Sequence, residues 1–377
     1  MKDIKADTRR YAAEIGLPIF GVASPEPFPC LESLLNKRRQ AGMESPFEKK
    51  WSAKTRCTPE LVFPEVRSVI CVGMPYFHPV DRDFSEERQW HISRFAWDGD
   101  YHLVLRTKLE QLAAFLRRVA DPGFKYFACV DTAPLVERAL AFRAGLGWYG
   151  KNNLLINPQY GSWFVLGELL VNISLPTDTP MESDCGSCDA CIRACPPGAL
   201  VDPYILDASR CISCITQTSQ SVSPELRNKA GQGIIGCDIC QEVCPKNKDM
   251  LHAGKENISP FIFSGEGLAD LLEISEEEFK KKYGSTGFAW GGKELLQRNA
   301  VVALGSTGLE KYIPALAKAF LNSTPLVRSH AAWALGNIGH RQAAVILVQA
   351  LNLEKNQEVC KEIAQALIGI LRRNELD

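Results

Sequence analysis

Nine of the chain's 14 cysteines fall between Cys185 and Cys244, and their spacing constrains the fold more than any other feature. Cys185-x2-Cys188-x2-Cys191-x3-Cys195-Pro196 matches the four-cysteine run of bacterial ferredoxins over its whole length. Cys237-x2-Cys240-x3-Cys244-Pro245 matches the last three positions of a second run, whose first position lies upstream at Cys211 or Cys214. Thiolates at these spacings close on a [4Fe–4S] cage. In two-cluster proteins the fourth cysteine of each run ligates the other cluster. One cluster is therefore expected on Cys185, Cys188, Cys191 and Cys244. The other is expected on Cys195, Cys237, Cys240 and one of Cys211 and Cys214. Structural zinc prefers two separated Cys-x2-Cys pairs, and a disulfide framework spreads its cysteines through a short secreted chain. Two clusters imply redox chemistry fed one electron at a time.

The rest of the chain is ordinary globular protein. Its 377 residues suggest two or three domains. The 43 basic and 44 acidic residues nearly cancel, which excludes a polycation that wraps nucleic acid and a disordered acidic chain. The N-terminal MKDIKADTRRYAAEIG has no apolar stretch and no cleavage site of a secretory signal. The most apolar stretch, Trp163 to Leu175, is too short for a hydrocarbon core of about 30 Å and contains Glu168. A cytoplasmic protein without membrane contact is expected.

Residues 1–178 read as one α+β domain built on a sheet. Ser68–Met74, Phe127–Val130, Leu154–Ile156 and Trp163–Ile173 have the apolar character of strands. Tyr101–Ala120 has helical spacing, and Pro134–Ala144 reads as a helix with Pro in its first turn. Residues 179–250 hold the cysteines and too little apolar surface for a core, so bound metal must stabilise them. Residues 251–294 read as a polar helical connection. Residues 295–377 contain a repeat: RNAVVALGSTG at Arg298–Gly308, RSHAAWALGNIG at Arg328–Gly339, and an echo at Lys361–Ile370. Paired helices with Ala and Gly at the crossings are expected, as in HEAT repeats. Nine basic residues against six acidic ones in this segment give mild support for an anionic partner.

Gly145-Leu146-Gly147-Trp148-Tyr149-Gly150 fits G-x-G-x-x-G, and Lys151 extends it toward a phosphate loop. Both motifs need a strand before the loop and a helix after it. Here a helix precedes and a strand follows, so nicotinamide binding and ATP hydrolysis are disfavoured. The loop with Lys151, Asn152 and Asn153 remains a candidate for contact with some polar cofactor, or is a plain helix-ending turn.

VDTAPLVERALAFRAGLGWYGKNNLLIN, GSWFVLGELL, RCISC, GCDICQEVCP and RNAVVALG occur in one order along nearly the whole chain. In that combination the chain resembles the epoxyqueuosine reductase family. The resemblance implies an N-terminal α/β cobalamin-binding domain like that of corrinoid reductive dehalogenases, a two-cluster ferredoxin domain, and C-terminal HEAT-like repeats. It implies reduction of the epoxide of epoxyqueuosine, at the wobble position of tRNA, to the alkene of queuosine. Cobalamin and two [4Fe–4S] clusters are the implied cofactors, and Cys211 the eighth ligand, which leaves Cys214 spare.

The family's proton-donating aspartate corresponds to Asp131. From the residues alone, Asp131 reads equally well as a cap of the following helix. As a proton donor it should be held protonated by burial or a nearby negative charge. Cys57, Trp97, Lys151, Asn152, Asn153 and Ser162 are candidate cofactor contacts, although some relatives carry His where this chain has Asn152. No Asp-x-His-x-x-Gly motif is present, and Asp100-Tyr101-His102 has the wrong spacing, so no lower His ligand to cobalt is expected. Lys293, Arg298 and Arg328, near the repeat starts, are candidate phosphate contacts. An external flavodoxin or ferredoxin is the expected electron donor, and the chain is expected to be a monomer. The alternatives are a corrinoid reductive dehalogenase acting on another substrate, a cobalamin chaperone, which would need no clusters, and a two-cluster electron carrier without catalysis.

Overall fold

The computed structural model describes residues 3–78, 90–120, 122–250 and 265–374. The chain divides into two compact units. The first comprises Met1–Pro79, Asp100–Ser209 and Asp238–Asn257, and the second Val80–Gly99, Arg210–Cys237 and Ile258–Asp377.

The first unit is built on a four-stranded sheet of β1 (Ile19–Ala23), β2 (Ser68–Pro75), β3 (Tyr126–Cys129) and β4 (Phe164–Val171), in the order β1-β2-β4-β3. All neighbours are antiparallel, with Ser68 opposite Val171 and Pro75 opposite Phe164 in the central pair. Side chains alternate across a strand. Ile70, Val72, Leu169 and Val171 therefore meet Leu105, Leu109, Leu112 and Leu116 of the Tyr101–Val119 helix. On the opposite face Val69, Cys71 and Leu170 meet Leu135, Leu140 and Leu146. Both faces are covered, which is why Ser68–Met74 is apolar throughout instead of alternating.

The helix expected over Pro134–Ala144 is shorter, Glu137–Arg143, and its N-cap position, Val136, makes no side-chain cap. The residues before it are drawn into turns. Asp131 has φ of +52°, and the Thr132 N–H donates to the Val130 carbonyl across it. Pro134 falls in these turns, and Asp131 caps nothing. The Gly145–Gly150 motif follows that helix and itself contains the Trp148–Tyr149 strand, which pairs with Leu155–Ile156, so no helix N-terminus follows it.

The second unit is mostly helical. Lys293–Ser306, Pro325–Ile338 and Gln357–Asn374 stack in succession, each of the first two followed by a second helix, Ile313–Asn322 and Arg341–Leu351. The repeated glycines mark the crossings. A Cβ on Gly305 would lie 2.4 Å from the Ala334 Cβ, and one on Gly336 would lie 2.5 Å from the Ala366 Cβ. Neither crossing has room for a methyl group. Gly336→Val should thus cost about 2–3 kcal/mol by overpacking. Thermal unfolding followed by far-ultraviolet circular dichroism should show the lowered midpoint, and an unchanged midpoint would contradict the close crossing.

The segment expected as a connection supplies core residues. Leu268, Leu271, Leu272, Phe279 and Tyr283 join Leu296 and Ala300 in one cluster. In the Glu276–Tyr283 helix, Phe279 and Tyr283 stand one turn apart on one face and the charges occupy the others, so local composition concealed a buried face. Residues 251–264 of that segment lie outside the described residues. Among the described residues no helix is long and apolar enough to cross a membrane.

Candidate functional site

The first unit carries two features with chemistry: a cysteine-lined cavity and an acid at a strained turn.

Cys185, Cys188, Cys191 and Cys244 line one small cavity, together with Lys151, Asn152, Ile156 and Pro245. The last cysteine of the second run thus joins the first three of the first run. Among the described residues none of these four cysteines is in a disulfide. Burial and the facing sulfurs raise the Cys191 and Cys244 thiols above their usual range, Cys191 by Cys244 and Cys185, Cys244 by Cys185 and Cys188. Four thiols crowded in this way cannot all ionise alone, and iron reverses that balance by binding thiolates. Backbone N–H groups already point at the sulfurs, from Ile192 to Cys191 and from Lys246 and Asn247 to Cys244. Such donors stabilise cluster-bound thiolates. The residues present therefore fit a cluster. Cys195 and Cys240 lie in the first unit, whereas Cys211, Cys214 and Cys237 lie in the second.

The cysteine-bearing segment is tied to the sheet domain by a buried polar knot. Ser162 Oγ accepts from Gln241 Nε2 (3.1 Å) and Asn247 Nδ2 (2.9 Å), and the Ser162 N–H donates to Asn247 Oδ1 at 2.8 Å. Gly161 has φ of +56°, and a Cβ there would sit 2.1 Å from Asn247 Oδ1. Only glycine lets the two segments approach this closely.

Asp131 stands at the second feature. Its carboxylate side chain is 58% exposed. Tyr101 Oη donates to Asp131 Oδ2 at 2.9 Å, and His102 Nε2 lies 3.6 Å from the same oxygen. His102 Nδ1 is 2.8 Å from Asp100 Oδ1. Desolvation opposes the charge on Asp131, but His102 and Tyr101 outweigh it and hold its pKa below the usual carboxylate range. Desolvation likewise opposes the charge on His102, and Asp131 and Asp100 raise its pKa above the ordinary imidazole range. Desolvation and Asp131 keep the Tyr101 phenol protonated. This lowering of the Asp131 pKa runs opposite in direction to the raising expected of a carboxyl held protonated by burial or a negative charge. Tyr101 and His102 were dismissed on the sequence as a misspaced corrinoid motif. The usable signal was an aspartate, a phenol and an imidazole in consecutive positions at a helix start.

The other candidates separate. Asn152 is 5% exposed and borders the cysteine cavity, and its Nδ2 has no hydrogen-bond partner among the described residues, so it can donate to a bound group. Lys151 and Asn153 are engaged within the scaffold, donating to the Gly186 carbonyl (2.6 Å) and the Tyr204 carbonyl (2.9 Å). Cys57 is buried among Leu35, Ala53, Val136 and Ala139, and burial pushes its thiol up to about 11. It is a core thiol. Trp97 belongs to the second unit, where its Nε1 donates to the Ile92 carbonyl at 2.8 Å.

Of the three expected phosphate contacts, Arg298 is corrected outright. It is fully buried and donates to the carbonyls of Gln220, Ile215 and Thr218. Repeat position alone could not tell a surface cation from one that satisfies a loop's carbonyls. Arg298→Met should lower stability by about 3 kcal/mol because those carbonyls lose their donors, and a stability-neutral loss of tRNA affinity would contradict this role. Arg328 is paired with Glu354 through Nε and Nη2 at 2.7 and 2.9 Å. Lys293 donates to the Ile274 carbonyl at 3.3 Å and lies 3.8 Å from Glu276.

Comparisons with known proteins agree with this layout. The family model described as epoxyqueuosine reductase QueG, DUF1730, matches residues 56–132, which contain Tyr101, His102 and Asp131. A 4Fe-4S double cluster binding domain matches residues 184–247, and HEAT repeats match residues 292–368. The epoxyqueuosine reductase of Bacillus cereus is 37% identical, covering 99% of both chains. A crystal structure of epoxyqueuosine reductase with a tRNA-Tyr epoxyqueuosine-modified stem loop matches with a TM-score of 0.90 at 36% identity, covering 97% of this chain and 98% of that one. The Bacillus subtilis enzyme, with its catalytic aspartate loop swung out of the active site, matches with a TM-score of 0.88 at 35% identity, covering 97% of this chain and 98% of that one. An acid-bearing turn, a double-cluster segment and helical repeats, in this order and over full length, place the chain in the epoxyqueuosine reductase family.

Proposed function

We propose that this chain reduces the epoxide of epoxyqueuosine, in the anticodon loop of tRNA, to the alkene of queuosine. The reaction takes two electrons and two protons and releases water. The observation that carries the chemical assignment is the Asp131 carboxylate, exposed at a turn and hydrogen-bonded by Tyr101 beside His102. Family membership supports the substrate.

Cobalamin, when bound, supplies a low-valent cobalt centre able to deliver electrons to the epoxide carbon. Asn152, whose buried Nδ2 has no hydrogen-bond partner among the described residues, is the residue here suited to hold a polar edge of that cofactor or to donate to a cluster sulfur. Two [4Fe–4S] clusters relay single electrons, one on Cys185, Cys188, Cys191 and Cys244 and the other on Cys195, Cys211, Cys237 and Cys240. The likeness of the N-terminal domain to corrinoid reductive dehalogenases belongs to this reading. So do an external flavodoxin or ferredoxin as donor, action as a monomer, a cytoplasmic location, and Arg328 and Lys293 as the remaining cations for phosphate.

The chain's own residues manage the proton. Tyr101 orients the Asp131 carboxyl, His102 holds one of the two protons, which Asp131 passes to the departing oxygen, and solvent supplies the second as water leaves. The pair titrates as one system. His102 has a raised pKa, so the proton is present below that pKa and lost as pH rises through it. Turnover should fall on the alkaline side, and His102→Gln should remove that limb while slowing the reaction. An unaltered limb in the variant would assign it elsewhere.

Nucleosides from tRNA of a strain lacking this gene test the substrate by mass spectrometry. Epoxyqueuosine should accumulate and queuosine vanish. Persisting queuosine, in a strain with no second reductase, would overturn the assignment.

A further inference from the structure

The glycine-rich loop at residues 145–153 has no phosphate to hold, yet it is fastened to the cysteine segment by three hydrogen bonds. Lys151 Nζ donates to the carbonyl of Gly186, the residue after Cys185, at 2.6 Å. Asn153 Nδ2 donates to the Tyr204 carbonyl at 2.9 Å, and the Tyr204 N–H donates back to the Lys151 carbonyl at 3.2 Å. Within the loop the Gly150 N–H donates to the Leu154 carbonyl at 2.8 Å, and the Asn153 N–H to the Gly150 carbonyl at 2.9 Å. Residues 150–154 therefore form a closed turn, with Asn152 in its middle.

The turn fixes the Asn152 amide. Its Oδ1 accepts the Leu154 N–H at 3.2 Å. Reversing the amide would set Nδ2 against that N–H, donor against donor, so the hydrogen bond itself assigns the two ends. A Cβ on Gly150 would come within 2.6 Å of Asn152 Oδ1 and 2.8 Å of Ile156 Cδ1. The last glycine of the motif thus makes the room in which the amide is tucked. Nδ2 is buried, has no hydrogen-bond partner among the described residues, and belongs to a side chain that lines the cavity of Cys185, Cys188, Cys191 and Cys244. Buried amide donors are normally paired. The other side chains of that lining do not compete for the role. Lys151 Nζ is committed to Gly186, Lys246 is exposed, and Ile156, Ala190 and Pro245 have no polar side-chain atom.

We propose that Asn152 Nδ2 donates to a sulfur of the [4Fe–4S] cluster on Cys185, Cys188, Cys191 and Cys244 and raises its reduction potential, and that the glycine loop is the clamp that aims it. The inference rests on that cluster assignment in the proposed function and is independent of the tRNA substrate. One-electron reduction adds a negative charge to the cage. A hydrogen bond strengthens as its acceptor gains charge, and hydrogen bonds to the sulfurs are among the determinants of a cluster's potential. The amide therefore stabilises the reduced cage more than the oxidised one. The G-x-G-x-x-G pattern and Lys151 are then accounted for without a phosphate, Gly150 by close approach and the lysine by its tie to Gly186.

A redox titration of the holoenzyme, followed by paramagnetic resonance without substrate, tests the inference. Asn152→Leu keeps the bulk and removes the donor. At a fixed potential it should lower the reduced-to-oxidised ratio of one cluster about tenfold, a shift of about 59 mV for one electron. The iron content should stay at the unsubstituted level and the second cluster should titrate as before. Asn152→Asp keeps the acceptor for the Leu154 N–H and puts a negative oxygen in place of Nδ2, so it should shift the same cluster at least as far in the same direction. An unchanged potential in either variant that retains its iron would overturn the inference, as would an equal shift of both clusters. Unchanged potentials with loss of bound cobalamin would overturn it too and place the amide on the corrin. If Asn152→Leu loses iron, the isosteric Asn152→Asp decides. Failure of the cluster reading itself would appear earlier, as unsubstituted protein with no iron–sulfur signal, and would overturn the inference with it.

Discussion

Replacing Asp131 with Asn should cut turnover by about 10²–10⁴-fold, the usual contribution of a positioned proton donor, while bound cobalamin and iron stay at unsubstituted levels. Asn is the appropriate probe because it tolerates φ above zero better than other non-glycine residues. Its amide oxygen still accepts from Tyr101, so the turn keeps its hydrogen bonds and loses only the titrating group. Visible spectra of the cofactor, iron analysis and nucleoside mass spectrometry on one preparation separate the two effects. Full turnover would remove Asp131 from the proton path. Loss of cofactor together with turnover would make it a binding residue instead.

The second large effect concerns iron. With the crossed ligand set, Cys185→Ala and Cys244→Ala each remove the same cluster, so each should keep about four of eight irons. The double variant should keep as many as either single one, with the same paramagnetic resonance spectrum after reduction. Cys185→Ala/Cys188→Ala serves as the control, because both residues belong to one run on any assignment. If the control keeps one cluster and the Cys185→Ala/Cys244→Ala protein keeps none, Cys244 ligates the cluster of its own run and the crossed set fails.

Much of this protein was legible before its structure. The cysteine spacings announced two clusters because ligand geometry is local: three cysteines within seven residues must face one cage. The Gly305 and Gly336 crossings were legible because close helix packing demands small residues at a fixed repeat. The central strands could be recognised from apolar runs covered on both faces.

What stayed hidden depended on contacts far apart in sequence. Arg298 reads as a surface cation until three carbonyls of a loop some 80 residues earlier are folded around it. Asp131 reads as a helix cap or a protonated acid until Tyr101 and His102, about 30 residues earlier, arrive beside it and lower its pKa. By itself the sequence determined the cofactor segment, the repeats and the apolar faces, because spacing and periodicity encode ligand sets and buried stripes. Only the tertiary structure decided which charges are buried, which are paired and which side chain holds a proton, because those depend on the field of neighbours that folding brings together.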